Sequence, residues 1–142
     1  GMVYILMSYK YSKSKAVVLG NDTLINQVST GLMTASIISA QSTILRRTVI
    51  SSSYNLKYTS YFIGVDTQSA TGSITINLPL ASGSVGGRTF LIKDETGNCE
   101  TNNIILQPSG SDTIDGQNNI TIDSPYASLN LYTDGISRWF IY

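Results

Sequence analysis

Ser73-Ile-Thr-Ile-Asn-Leu78 alternates polar and apolar residues without a break, so Ile74, Ile76 and Leu78 share one face of an extended strand. Working outward, similar short apolar runs follow at Tyr61-Phe-Ile-Gly-Val-Asp66, Thr89-Phe-Leu-Ile-Lys93 and Asn103-Ile-Ile-Leu-Gln107. Three more lie at Asn119-Ile-Thr-Ile-Asp123, Ser128-Leu-Asn-Leu-Tyr132 and Trp139-Phe-Ile-Tyr142. Turn-forming residues separate them: Gly83, Gly86-Gly87, Thr96-Gly97-Asn98, Pro108-Ser-Gly110, Asp115-Gly116 and Asp134-Gly135. About seven short strands at intervals of roughly 10–15 residues predict a small antiparallel β-sandwich or barrel. The composition agrees, since 20 Ser, 15 Thr and 17 Ile against 6 Ala favour pleated, half-buried surfaces over helices.

The 142 residues carry nine Lys and Arg against nine Asp and Glu, a neutral balance that gives no basic surface for nucleic acid. No run approaches the 18 or so apolar residues that a membrane-spanning helix needs, and no membrane insertion is expected. Without His, and with Cys99 as its one cysteine, the chain lacks the parts for a His-based triad, a His metal site or an intrachain disulfide. Neither a metal nor a cofactor is expected. Gly1 before Met2 reads as the scar of an expression tag. In Met2–Met7 the apolar run precedes the cations Lys10, Lys13 and Lys15, the reverse of a signal peptide, so an intracellularly made soluble protein is expected. Those lysines, interleaved with Tyr9 and Tyr11, read as a solvated terminus.

Charge divides the chain in two. Residues 1–60 hold six cations and one acid, a balance of +5, whereas residues 61–142 hold three cations and eight acids, a balance of −5. The polar run Ser51-Ser-Ser53 marks the expected boundary, with an oligomerisation region over 1–53 and a β-sandwich head over 54–142. Upstream of it, apolar residues come in pairs: Leu24-Ile25, Leu32-Met33, Ile37-Ile38, Ile44-Leu45 and Val49-Ile50. Alternate pairs recur every 12 or 13 residues, a quasi-repeat too sparse to bury a core alone. It suits a fibrous β-shaft shared by several chains. A heptad frame through Leu24, Val28, Gly31, Ala35, Ile38, Ser42, Leu45 and Val49 makes a coiled coil the runner-up, weakened by Gly31 and Ser42 in its seam.

Residues 58–142 resemble the C-terminal head module of phage and viral fibre or spike proteins. The likeness is carried by Tyr58-Thr-Ser-Tyr-Phe-Ile-Gly-Val-Asp66 through Ile74-Thr-Ile-Asn-Leu-Pro79, by Gly87-Arg-Thr-Phe-Leu-Ile-Lys-Asp-Glu-Thr-Gly-Asn98, and by Thr101-Asn-Asn-Ile104. It continues in Thr113-Ile-Asp-Gly116 and in Ser128-Leu-Asn-Leu-Tyr-Thr-Asp-Gly135, with Trp139 near the end. The abundance of Ile, Asn, Ser and Tyr suits an AT-rich viral genome, such as that of a giant virus or virophage. The resemblance implies a β-sandwich head on an intertwined homotrimer, carried on a virion beside other virion proteins, that attaches to a host surface receptor, expected to be a glycan.

The recognisable residues have structural roles of their own. Pro79 ends a strand because it cannot donate to a ladder, and Gly97, Gly116 and Gly135 stand where turns need positive φ. Trp139 is expected to fill the core. Receptor contacts are expected in three polar, Gly-rich loops at one tip, 81–88, 94–103 and 133–138, through Arg88, Asp94, Asn98, Asn102, Asp134 and Arg138. Asp112, Asp115, Asp123 and Asp134 are the carboxylates for a polysaccharide-cleaving alternative, though each sits in an expected turn. Another alternative is a purely structural capsid decoration that docks through the basic N-terminal half. No catalytic residue is assigned.

Overall fold

The computed structural model describes residues 35–142. The chain divides into two compact units, Gly1–Gln41 and Ser42–Tyr142. Within the first, residues 35–41 form no helix or strand and are exposed. The apolar pairs at 24–25 and 32–33, and with them most of the expected shaft, lie outside the described residues.

The second unit is almost wholly β. Its strands are β1 (Arg47–Ile50), β2 (Tyr54–Asn55), β3 (Phe62–Val65), β4 (Ile74–Asn77), β5 (Thr89–Asp94), β6 (Ile104–Gln107), β7 (Thr113–Ile114), β8 (Ile120–Ile122), β9 (Ser128–Thr133) and β10 (Arg138–Ile141). One short 3-10 turn covers Ala81–Gly83. The seven expected strands are β3, β4, β5, β6, β8, β9 and β10; β1, β2 and β7 were not among them. β1 lies before the expected boundary and pairs residue by residue with β3, Arg47 opposite Phe62 and Ile50 opposite Val65. The unit therefore takes in residues 42–53, and Ser51–Ser53 is a connection inside it. The heptad frame finds no helix over its described positions, and Val49 lies in β1.

Two sheets share one core, a six-stranded sheet in the order β1-β3-β5-β9-β10-β7 and a four-stranded sheet in the order β2-β4-β6-β8. The sandwich is not antiparallel as expected: five of its eight strand pairings are parallel. The chain winds between the sheets and leaves one strand in each per turn. β1, β3 and β5 thereby stack in one direction in the large sheet, and β2, β4 and β6 do so in the small one. Only the last part of the chain reverses, as β8, β9 and β10 close the coil with antiparallel pairs, β10 also lying parallel to β7 on its other side. From β1 to β9 successive strands sit in opposite sheets, so short connections suffice where a parallel pair within one sheet would need a crossover of a dozen or more residues.

The alternation read from sequence does set the core. Ile63 and Val65 of β3, Ile74 and Ile76 of β4, Phe90 and Ile92 of β5, Leu131 of β9 and Trp139 of β10 are buried to 1% exposure or less. Each large side chain so buried contributes about 1.5–3 kcal/mol. Trp139 stacks on Phe90 with ring centroids 5.4 Å apart, at the centre of the core.

Candidate functional site

The winding places the loops at two opposite ends. The connections leaving the C-terminal ends of β3 and β5 (66–73 and 95–103) share one end with the β8–β9 connection (123–127). Connections 56–61, 78–88, 108–112 and 134–137 share the other. Loops 81–88 and 133–138 therefore meet as expected, whereas 94–103 lies at the opposite end and the single tip of three loops does not form. Strand direction is the reason: β5 joins loop 81–88 to loop 94–103 and runs the length of the sheet.

At the first end the organising group is Asp94. The alternation that turns Phe90 and Ile92 inward turns Asp94 inward as well, and it is fully buried. Its Oδ1 accepts hydrogen bonds from Thr67 Oγ1 (2.7 Å), Gly97 N (3.0 Å) and Thr96 N (3.3 Å). Its Oδ2 accepts from Tyr126 N (3.1 Å) and Cys99 N (3.3 Å). Burial pushes the carboxyl pKa up, but the bonds from Thr67, Cys99, Tyr126 and Gly97 outweigh it and hold the value at about 2. Asp94 is thus a knot tying three connections together and not a surface contact. Asn98 and Asn102, half-buried, serve the same knot: Asn98 N donates to Thr67 Oγ1 at 2.9 Å, and Asn102 Nδ2 donates to the carbonyls of Thr67 (2.9 Å) and Ala70 (3.0 Å).

Cys99 is fully buried beside this carboxylate and donates its thiol to Ser124 O at 3.0 Å. Burial first, then Asp94, raises its pKa to about 11, which leaves it a thiol and a poor nucleophile at neutral pH. Tyr126 adopts φ +61°, unusual for a residue with a side chain, and is held there by its N–H on Asp94 and by Lys93 Nζ donating to its carbonyl. Its ring lies where a Cβ on Gly97 would stand. Gly97, at φ +74°, is needed both for its backbone and for its missing side chain.

Arg88, Asp134 and Arg138 gather at the second end. Asp134 Oδ1 accepts from the N–H groups of Ile136 (2.8 Å), Ser137 (3.0 Å) and Arg138 (3.0 Å), while Oδ2 meets Arg138 Nε at 3.1 Å. These donors, Ile136 foremost, hold its carboxyl at about 2. Gly135, at φ +75°, presses against the backbone of Val85 and Gly86, and Gly87 N donates to Thr133 O at 2.8 Å, so the two loops brace each other; within the first of them Arg88 Nε donates to Ser84 Oγ at 3.1 Å. Asp112 is also engaged, accepting Ala81 N at 2.8 Å. Asp115 and Gly116 (φ +47° and +80°) form a two-residue turn whose flanks, Ile114 and Gln117, exchange both main-chain hydrogen bonds. Pro79 follows β4 after Leu78 donates the last ladder bond to Gln107.

Next to this second end lies a feature that sequence reasoning missed. On the outer face of the large sheet, Tyr132 of β9 stands opposite Phe140 of β10, ring centroids 5.1 Å apart, and Tyr142 meets Tyr132 edge-on at 5.6 Å. Arg138 lies over the Phe140 ring at 5.6 Å. Tyr132 is 38% and Tyr142 62% exposed. The period-two spacing of Arg138, Phe140 and Tyr142 is legible in the sequence, but the inward Trp139 dominates that strand. Further along the same face Arg47 is paired with Glu95, whose side chain crosses the space left free by Gly64.

Among the described residues no three His, Cys, Asp or Glu side chains gather as a metal site. Compared with protein-family models and with curated proteins, the chain matches none.

Proposed function

We propose that the chain is a non-enzymatic virion structural protein, one subunit of a homotrimeric fibre or spike whose β unit is the attachment head. The observation that carries this reading is the row Tyr132–Phe140–Tyr142, exposed at its two tyrosines and bordered by Arg138 and the braced loops 81–88 and 133–138. Tyrosine and arginine are the residues that binding surfaces favour, because a rigid ring with a polar tip contributes large contact area at little entropic cost. On an extended sheet such a row suits the flat, partly apolar face of a sugar ring, and Arg138 supplies hydrogen-bond donors at its edge. Asp94, Asp112 and Asp134 are each committed to main-chain amides, which favours binding over acid–base chemistry. Three weak sites on one axis raise the affinity for a glycan-covered surface by about 10²–10⁴-fold without new contacts.

The test is a glycan array together with adsorption to host cells, run on the full chain and on Tyr132→Ala and Arg138→Ala. Binding that both substitutions abolish supports the reading. A blank array with no adsorption to host cells refutes it.

A further inference from the structure

We infer that the open edge of β1 is an acceptor for a strand donated by a second copy of this chain, the donor being residues 35–45. The inference rests on the trimeric reading above and names the surface that would build it. β1 is the first strand of the large sheet and, among the described residues, has a neighbour on one side only. Phe62 N donates to Arg46 O and Asp66 N to Ile50 O, so the even-numbered residues of β1 face β3. By the same register, the N–H and C=O groups of Arg47 and Val49 point away from it. Edge strands are usually guarded by charge or proline. Here β1 has no proline, and its Arg47 guanidinium is drawn onto the sheet face by Glu95.

The donor lies directly upstream. Residues 35–45 contain no charge, no Pro and no Gly, and they include the β-branched Ile37, Ile38, Thr43 and Ile44, a composition that favours strand pairing. In the single chain they form no strand. Ile37, Ile38 and Ile44 are 87%, 62% and 99% exposed, too much apolar surface to leave in water without a partner. The strip cannot readily serve its own β1. A parallel match needs a crossover of about a dozen residues or more, and the link between strip and strand is Arg46 alone. An antiparallel hairpin would turn within Ser42-Thr43-Ile44-Leu45-Arg46, which offers no Gly, Asn, Asp or Pro. Donation to a neighbouring copy removes both obstacles, and a head-to-tail exchange of this kind closes on itself in a ring of three.

The experiment is sedimentation of the full chain over a concentration series, with Val49→Pro and Ile38→Asp beside the wild type. Proline at 49 removes only an outward-facing N–H, which edge strands tolerate, so pairing with β3 survives; circular dichroism checks this. Ile38 is exposed and outside any strand, so aspartate there perturbs assembly without unfolding the β unit. The expected result is a wild-type trimer and, for each variant, a half-assembly concentration raised at least about tenfold, the effect of losing one or two net hydrogen bonds or an apolar anchor. Variants that assemble like a trimeric wild type overturn the donated strand and leave the trimer standing. A wild type that is monomeric throughout overturns both.

Discussion

Asp94→Asn replaces one carboxylate oxygen with an amide nitrogen in a site made entirely of donors. The gentler orientation puts the new NH2 group at the Oδ2 position, where it faces the N–H groups of Cys99 and Tyr126. The other orientation faces Thr67, Thr96 and Gly97 and is worse. Two buried N–H groups left without an acceptor cost about 1–3 kcal/mol each, so the variant should lose about 2–6 kcal/mol. That is a large share of the roughly 5–15 kcal/mol that holds a domain together. Tyr126 also loses the bond that holds it at φ +61° and should relax first.

The pH dependence carries a second signature. The Asp94 pKa of about 2 in the folded chain lies below its ordinary 3.8, so the unfolded chain takes up the proton first on acidification. The stability contributed by Asp94 is therefore fully present above about pH 4 and is lost as pH falls toward 2. Asp66 and Asp134 are shifted the same way, so the wild type weakens through several groups and the Asn variant lacks only the Asp94 share. Urea unfolding at pH 7 and pH 3, at one fixed chain concentration, measures both effects. An Asn variant within about 0.5 kcal/mol of wild type at pH 7, with an unchanged loss at pH 3, refutes the assignment of Asp94 as the knot; surface changes typically fall in that range.

Gly116→Ala and Gly97→Ala separate backbone strain from collision. Both sites have positive φ, but Gly116 has open space around it, so alanine there should cost only the left-handed penalty of about 1–2 kcal/mol. At Gly97 the new methyl meets the Tyr126 ring, and thermal unfolding should show a clearly larger loss. Trp139→Ala should cost about 3–5 kcal/mol by urea unfolding. Trp139→Phe should cost much less, since the indole Nε1 has no hydrogen-bond partner to lose. The Cys99 thiol, buried and raised to about 11, should resist a thiol reagent at pH 8 in the folded chain and react at once in urea; equal rates in both would contradict its burial.

Strand positions and turns were legible because each depends on a few neighbouring residues. Ser73–Leu78 shows its inward face by alternation alone, and Asp115-Gly116 and Gly135 show their turns by chemistry that works in any fold. The two-residue strands β2 and β7 are too short to display a period, and β1 was hidden in a run of pairs shared with the upstream repeat.

Asp94 marks the border between the two kinds of information. Its position two residues after Ile92 assigns it to the inner face, yet a charge there makes sense only once Thr67, Cys99 and Tyr126, from three separate connections, have arrived around it. By itself the sequence determined an all-β unit, its turns and the residues of its core. Only the tertiary structure decided that the chain winds between two sheets, that most pairs are parallel, and that 94–103 lies opposite 81–88 and 133–138. Side-chain alternation is a property of a strand alone and is the same in either direction, whereas the partner and direction of each pairing are set by residues far away in the chain.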